Sequence, residues 1–193
     1  MIPLGLLPAQ GYAKPGQTGF TLVETMIAIV VAALGLLGIA KMQAAAIANT
    51  HIAATRSLIA LQAASLAAAM QGNHAYWNSG QAPATFSTRG TTVTDASGQL
   101  TASGVNCVAS TANVGACTPV KLAAYDVQTW AATMSGLFPG YASNTSCTTT
   151  ASTQINCAIT VTWVENYVGI NRTTTINSAN QSATQSFTLY VAP

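Results

Sequence analysis

Between positions 25 and 40 the chain reads TMIAIVVAALGLLGIA, an uncharged apolar run bounded by Glu24 and Lys41. Such a stretch is of membrane grade, and it reaches the roughly 20 residues that span a bilayer when positions 20–23 are added. Beyond Lys41 no proline interrupts the chain until Pro83, and the residues are mostly Ala, Leu, Ile and Gln, all compatible with helix. Ile52, Ile59, Leu66 and Met70 fall within about 40° of one another at 3.6 residues per turn, which predicts one apolar stripe. Leu58 and Leu61 lie on another face, so the helix is expected to cover its own domain on one side and something else on the other. Gly72 and Asn73 supply the stop. A helix from about Phe20 to Gln71 would be roughly 78 Å long at 1.5 Å per residue, so half of it is expected to project from its domain.

After Asn73 the period changes. Thr118-Pro119 reads as an N-cap with proline in the first turn, and Ala123, Val127, Trp130, Ala131 and Met134 keep helical spacing up to Gly136. Ile155, Cys157, Ile159, Val161 and Trp163 alternate with polar or smaller residues, as do Phe187, Leu189 and Val191 near the end, which is the strand period. The two strands predict an antiparallel sheet with one face on the long helix. The fold class is therefore α+β: a long N-terminal helix, a short second helix and a small antiparallel sheet.

Composition sharpens this picture. Of 193 residues half are apolar, yet only six are Lys or Arg and four Asp or Glu, 5% in all. An ordinary soluble domain carries about 25% charge. A nucleic-acid binder needs a basic patch and a disordered tail needs net charge, so both classes are excluded. The acids after Glu24 are Asp95, Asp126 and Glu165, with no G-x-S-x-G, P-loop or paired-carboxylate pattern around them, so no catalytic residue, cofactor or enzyme activity is expected. Asp126 is assigned to the short helix, and Trp130 and Trp163 to the core.

Residues Gly19-Phe20-Thr21-Leu22-Val23-Glu24 lead directly into the apolar run. This junction resembles the processing site of type IV pilins and pseudopilins. The resemblance implies a pilin fold, a cut between Gly19 and Phe20 by a prepilin peptidase, N-methylation of Phe20 by the same membrane enzyme, and Glu24 as the fifth-position acid that sets assembly register. A lone carboxylate at the edge of an apolar helix needs a partner, and cleavage would create one in the α-amine of Phe20. Two plainer readings compete. Thr21-x-x-Glu24 matches a capping box, which accounts for the acid alone. A secretory leader cut near Ala44-Ala45-Ala46 fits less well, since an acid heads its apolar region and the helical pattern runs through that cut.

The segments Leu34-Gly35-Leu36-Leu37-Gly38-Ile39-Ala40, Gln43, Arg56, Leu66-Ala67-Ala68-Ala69-Met70 and Asn73 look like the PilV-type minor pilins, the pilus modification proteins. Ala123-Ala124-Tyr125-Asp126, Trp130, the Leu137-Phe138-Pro139-Gly140 turn and the closing Phe187-Thr188-Leu189-Tyr190-Val191-Ala192-Pro193 resemble the same family. Positions 1–19 would then be the leader, 20–72 the long helix with 20–40 in the membrane or filament core, and 73–193 a periplasmic and later extracellular domain. The implied partners are the prepilin peptidase/methyltransferase, other minor pilins, the major pilin and the inner membrane, with the pilus as final location. A minor pseudopilin of type II secretion and a tip-displayed adhesin are the alternatives.

Cys107 and Cys117 are ten apart, as are Cys147 and Cys157. Three pairings are open; the local one is simplest, and disulfides imply an oxidising compartment. Zinc is disfavoured because metal knuckles place their cysteines two to four apart. Asn144-Thr145-Ser146 and Asn171-Arg172-Thr173 are formal glycosylation sequons, expected by chance in a chain so rich in Asn and Thr.

Overall fold

A computed structural model of the chain describes residues 16, 19–103, 106–107, 117–148, 154–166 and 182–193. Helix α1 runs Leu22–Gly72, α2 is the single turn His74–Trp77, and α3 spans Pro119–Leu137. The strands are β1 (Thr85–Arg89), β2 (Thr92–Asp95), β3 (Ala142–Cys147), β4 (Cys157–Asn166) and β5 (Ser182–Val191), joined antiparallel in the order β2-β1-β3-β4-β5. This is an α+β, pilin-like fold. It forms two compact units, Met1–Gln43 and Ala44–Pro193.

In the second unit the expected stripe of α1 is the one that is covered. Of that stripe Ile59, Leu66 and Met70 are buried, with Ala63 beside them, and Ile52 is partly buried, while Leu58 and Leu61 on the other face stay exposed. The helix ends where expected, with the Asn73 N–H donating to the carbonyls of Ala69 and Met70. Asn73 itself is buried and donates its side-chain amide to the Pro119 carbonyl at 2.7 Å, tying the end of α1 to the start of α3. At that start the Thr118 hydroxyl accepts from the Lys121 N–H and proline occupies the first turn, as the capping pattern predicts.

The inward phase of β4, from Cys157 through Ile159 and Val161 to Trp163, joins Phe86 of β1, the α1 stripe and Val127, Trp130 and Met134 of α3 in one core. Trp130 donates its ring N–H to the Gln62 carbonyl at 2.8 Å, fixing α3 against α1. After α3, Pro139 and Gly140 occupy the centre of a turn closed by the Tyr141 N–H on the Phe138 carbonyl. Gly140 has φ +88°, the left-handed value that the third position of a type II turn demands.

Strands β1, β2 and β3 and the turn α2 were not expected from the pattern. Their inward positions are partly polar, which hides the alternation: Thr88 on β1 and Ser143 and Thr145 on β3 are buried. Thr88 meets the hydroxyls of Tyr141 at 2.9 Å and Ser143 at 2.8 Å, and Tyr141 donates to the Gly90 carbonyl at 3.0 Å in the β1–β2 hairpin. Burial pushes the Tyr141 hydroxyl pKa up despite the bond to Thr88. Asn144, the head of one sequon, is exposed on β3, whereas Asn171 and its sequon lie outside the described residues, as do positions 1–15 and 17–18 of the expected leader.

Candidate processing and assembly site

The first unit holds the residues singled out at the junction. Thr21 stands just before α1: its carbonyl accepts from the N–H groups of Glu24 at 3.1 Å and Thr25 at 3.2 Å, and its hydroxyl accepts from Glu24 N–H at 3.3 Å. Thr21 is therefore an N-cap. The capping box is half formed, because the Glu24 carboxylate makes no reciprocal bond among the described residues. That carboxylate lies in the first turn of the helix, where the positive end of the backbone dipole favours an anion.

Gly19 and Phe20 precede the helix and are exposed, Phe20 to 82%. A Cβ at Gly19 would meet nothing within 4 Å, so the peptide bond after it is open on that side. Hydrolysis there would turn the Phe20 nitrogen from an amide into an ammonium group four residues before Glu24. From Leu22 to Ile39 the large apolar side chains are all exposed, Leu22 to 81%, Ile29 to 69% and Leu36 to 66%. Within the described residues α1 is the one helix long and apolar enough to cross a membrane. Lipid or other helices must cover such a surface.

A second cluster lies in the sheet unit and was missed at the sequence level. Glu165 extends the inward phase of β4 by one step beyond Trp163 and is buried, its side chain 2% exposed. Arg56 of α1 grips it with two parallel bonds, Nε to Oε1 at 2.8 Å and a terminal nitrogen to Oε2 at 2.7 Å. The Trp163 ring N–H adds a third bond to Oε1 at 3.0 Å. A bidentate pair of this kind fixes orientation as well as charge, so it sets where β4 lies along α1. The signal was present: a single Arg between Ile52 and Ile59, and an acid in phase with the alternating strand.

The structure pairs Cys107 with Cys117 and Cys147 with Cys157. The second pair joins facing residues of β3 and β4. Asp126 lies on α3, half-buried, and burial raises its pKa above the usual carboxylate value. Asp95 behaves oppositely. Burial alone would raise it, but bonds from the Ser97 hydroxyl and from the N–H groups of Ser97, Leu100 and Gln99 hold it below its ordinary value. Tyr76, buried and donating to Gln99 at 2.7 Å, is pushed up to about 12 by burial and by the nearby Asp95 charge.

Comparison with known families finds the prokaryotic N-terminal methylation motif at residues 14–40. That interval contains Gly19, Phe20, Glu24 and the exposed apolar first half of α1. No curated protein and no solved structure matches the chain. The chain thus carries a type IV pilin-like prepilin signal, which implies processing by a prepilin peptidase and association with a membrane.

Proposed function

We propose that this protein is a minor type IV pilin of the PilV kind. It is made as a precursor in the bacterial inner membrane, cut between Gly19 and Phe20, methylated on Phe20, and built with other minor pilins and the major pilin into the complex that starts or caps a pilus. In this reading positions 1–19 are the leader, 20–40 the membrane and filament segment of a helix reaching to 72, and 73–193 the exported domain. Its role is structural. The observation that carries the reading is the methylation motif placed over an exposed N-capped helix start.

Glu24 supplies register in this scheme. A carboxylate among apolar helices is costly until it meets a cation at the same depth, and the methylated amine of Phe20 on the same or a neighbouring subunit is such a cation. The finer assignment to the PilV kind is supported by the resemblance of positions 34–40, 43, 56, 66–70 and 73, in which Arg56 pins the sheet through Glu165.

Gly19→Val tests the reading, because a branched side chain at the cut blocks the peptidase. The expected result is a full-length, membrane-retained chain and loss of normal piliation; normal piliation with that variant would sink the assignment. Recovery of the wild-type chain in sheared surface pili separates a pilin from a secretion pseudopilin, which would stay with the cell.

A further inference from the structure

Side chains alternate along a strand, so the residues between the buried ones of the sheet share its outer face. Two cross-strand rows run the full width of that face: Thr94, Ser87, Asn144, Thr160 and Thr188, then Thr92, Arg89, Ala142, Thr162 and Ser186. Both acids of the described strands stand in the opposite phase, Asp95 beside the buried Phe86 across the β1–β2 pair and Glu165 buried on β4. Arg89 is therefore the one charge on the outer face of the described strands, and it makes no hydrogen bond or ion pair among the described residues. Next to it Ala142 ends in a methyl group and leaves a cleft of about 260 Å³, ringed by Arg89, Ser87, Asn144, Thr160 and Thr162. The side chains of Ser87 and Asn144 make no hydrogen bond among the described residues, whereas the Thr160 hydroxyl meets that of Thr188 at 3.0 Å and the Thr162 hydroxyl donates to the Ala142 carbonyl at 3.1 Å. The cleft offers a guanidinium, an amide and hydroxyls to a ligand rich in acceptors.

From the cleft the polar face leads to an aromatic ring. Tyr190 of β5 shares the outer phase and is 77% exposed. It lies three strands across and four residues along from Arg89, roughly 20 Å at ordinary strand spacings, with Asn144 and Thr160 between them on the diagonal. A planar guanidinium takes a carboxylate with two parallel bonds, hydroxyls and an amide exchange hydrogen bonds with a polyol, and a phenol ring gives an apolar platform to the C–H side of a sugar. We propose that this face binds an oligosaccharide carrying one carboxylate, its acidic sugar seated in the cleft on Arg89 and its neutral sugars crossing Asn144 and Thr160 to lie against Tyr190. An acid-rich peptide fits less well, because one cation meets one carboxylate and no other charge on the face answers a second. The site lies wholly in the second unit, so it goes beyond the pilin reading and does not require the cut at Gly19.

The test titrates the full-length chain, held in phosphatidylcholine nanodiscs free of sugar detergent, with sialyl-lacto-N-tetraose, a neutral chain bearing one acidic sugar. Calorimetry gives the affinity and saturation-transfer NMR shows which sugars touch the protein. Binding should be at least about tenfold tighter than to lacto-N-tetraose, which lacks the acid, as the loss of one charge-assisted pair implies. Arg89→Gln should lower the affinity by a similar factor and Arg89→Lys by less, since lysine keeps the charge but not the fork. Ala142→Glu fills the cleft with an anion and should abolish binding. Tyr190→Ala should weaken binding several-fold and remove saturation transfer only at the sugars farthest from the acid. All these positions face outward, so melting of the sheet unit should not change. No binding by the wild type, equal affinity for the acidic and neutral sugars, tighter binding of a glutamate-rich peptide, or indifference to both Arg89→Gln and Ala142→Glu would overturn the proposal. An uncut N-terminus in cells would overturn the pilin reading and leave this result untouched.

Discussion

Helix α1 serves two units with opposite treatment of the same residue types. In the first, Leu22, Ile29 and Leu36 are exposed to 81%, 69% and 66%; in the second, Ile59, Leu66 and Met70 are at 0%, 1% and 1%. The acids differ in the same way. Glu24 makes no side-chain bond among the described residues, whereas Glu165 accepts from Arg56 and Trp163. One half is complete only when something outside the chain covers it, whereas in the other the stripe from Ile59 to Met70 is covered by its own sheet and α3, and Leu58 and Leu61 stay exposed. Low charge therefore has two causes. The first unit cannot carry charge into lipid or a helix bundle, and the second meets water with hydroxyls and amides.

Variants in the two halves should separate cleanly by what they damage. The largest effect on folding is expected from Leu66→Ala, which opens a cavity in the core and should cost about 2–5 kcal/mol in the melting of the sheet unit. Ile29→Ala should leave that melting within about 0.5 kcal/mol, since the side chain is exposed, while weakening membrane retention. Equal losses of melting stability from the two would erase the contrast.

Next comes the buried acid. Glu165→Ala removes both bonds from Arg56 and the one from Trp163 and loosens β4 on α1, for about 3 kcal/mol, the low end of the range for buried pairs because Arg56 is half exposed. Glu24→Gln should not change melting of the sheet unit at all, yet should reduce incorporation into pili. Similar in scale, Cys147→Ser with Cys157→Ser removes a loop closure of ten residues and should cost about 2–3 kcal/mol under non-reducing conditions, read by denaturant titration.

The smallest expected effect is in pH dependence, where two acids of the sheet unit have opposite signs. The Asp126 pKa is raised by burial, so the folded state holds that proton longer and stability falls as pH rises through the carboxylate range towards neutrality. Asp126→Asn should be at least as stable as the wild type at pH 7. Asp95 is lowered, so its contribution is present above the ordinary carboxylate value and is lost as pH falls through its own. Asp95→Asn should lower the melting temperature at pH 7 and converge with the wild type in acid. Parallel pH profiles for the two variants would contradict this assignment.

The sequence was legible wherever one physical signal dominated. The apolar run, the Thr118-Pro119 cap and the alternation from Ile155 placed α1, α3 and β4 within two or three residues of their observed ends. Strands β1 and β3 were illegible because Thr88, Ser143 and Thr145 occupy inward positions, so burial there does not follow hydrophobicity. The Arg56–Glu165 pair escaped for a related reason. Each residue looked like an isolated charge, and only the phase of β4 joined to the face of α1 makes them meet. Asp126 was placed correctly on α3.

The account turns on what covers the first unit, and therefore on whether the chain is cut after Gly19. Mass spectrometry of the intact protein recovered from membranes and pili decides it. The predicted mature chain begins at Phe20, carries one added methyl group on that residue, and is lighter by two hydrogens for each disulfide. A chain that retains residues before Phe20, or one that begins near Ala45, would contradict the account.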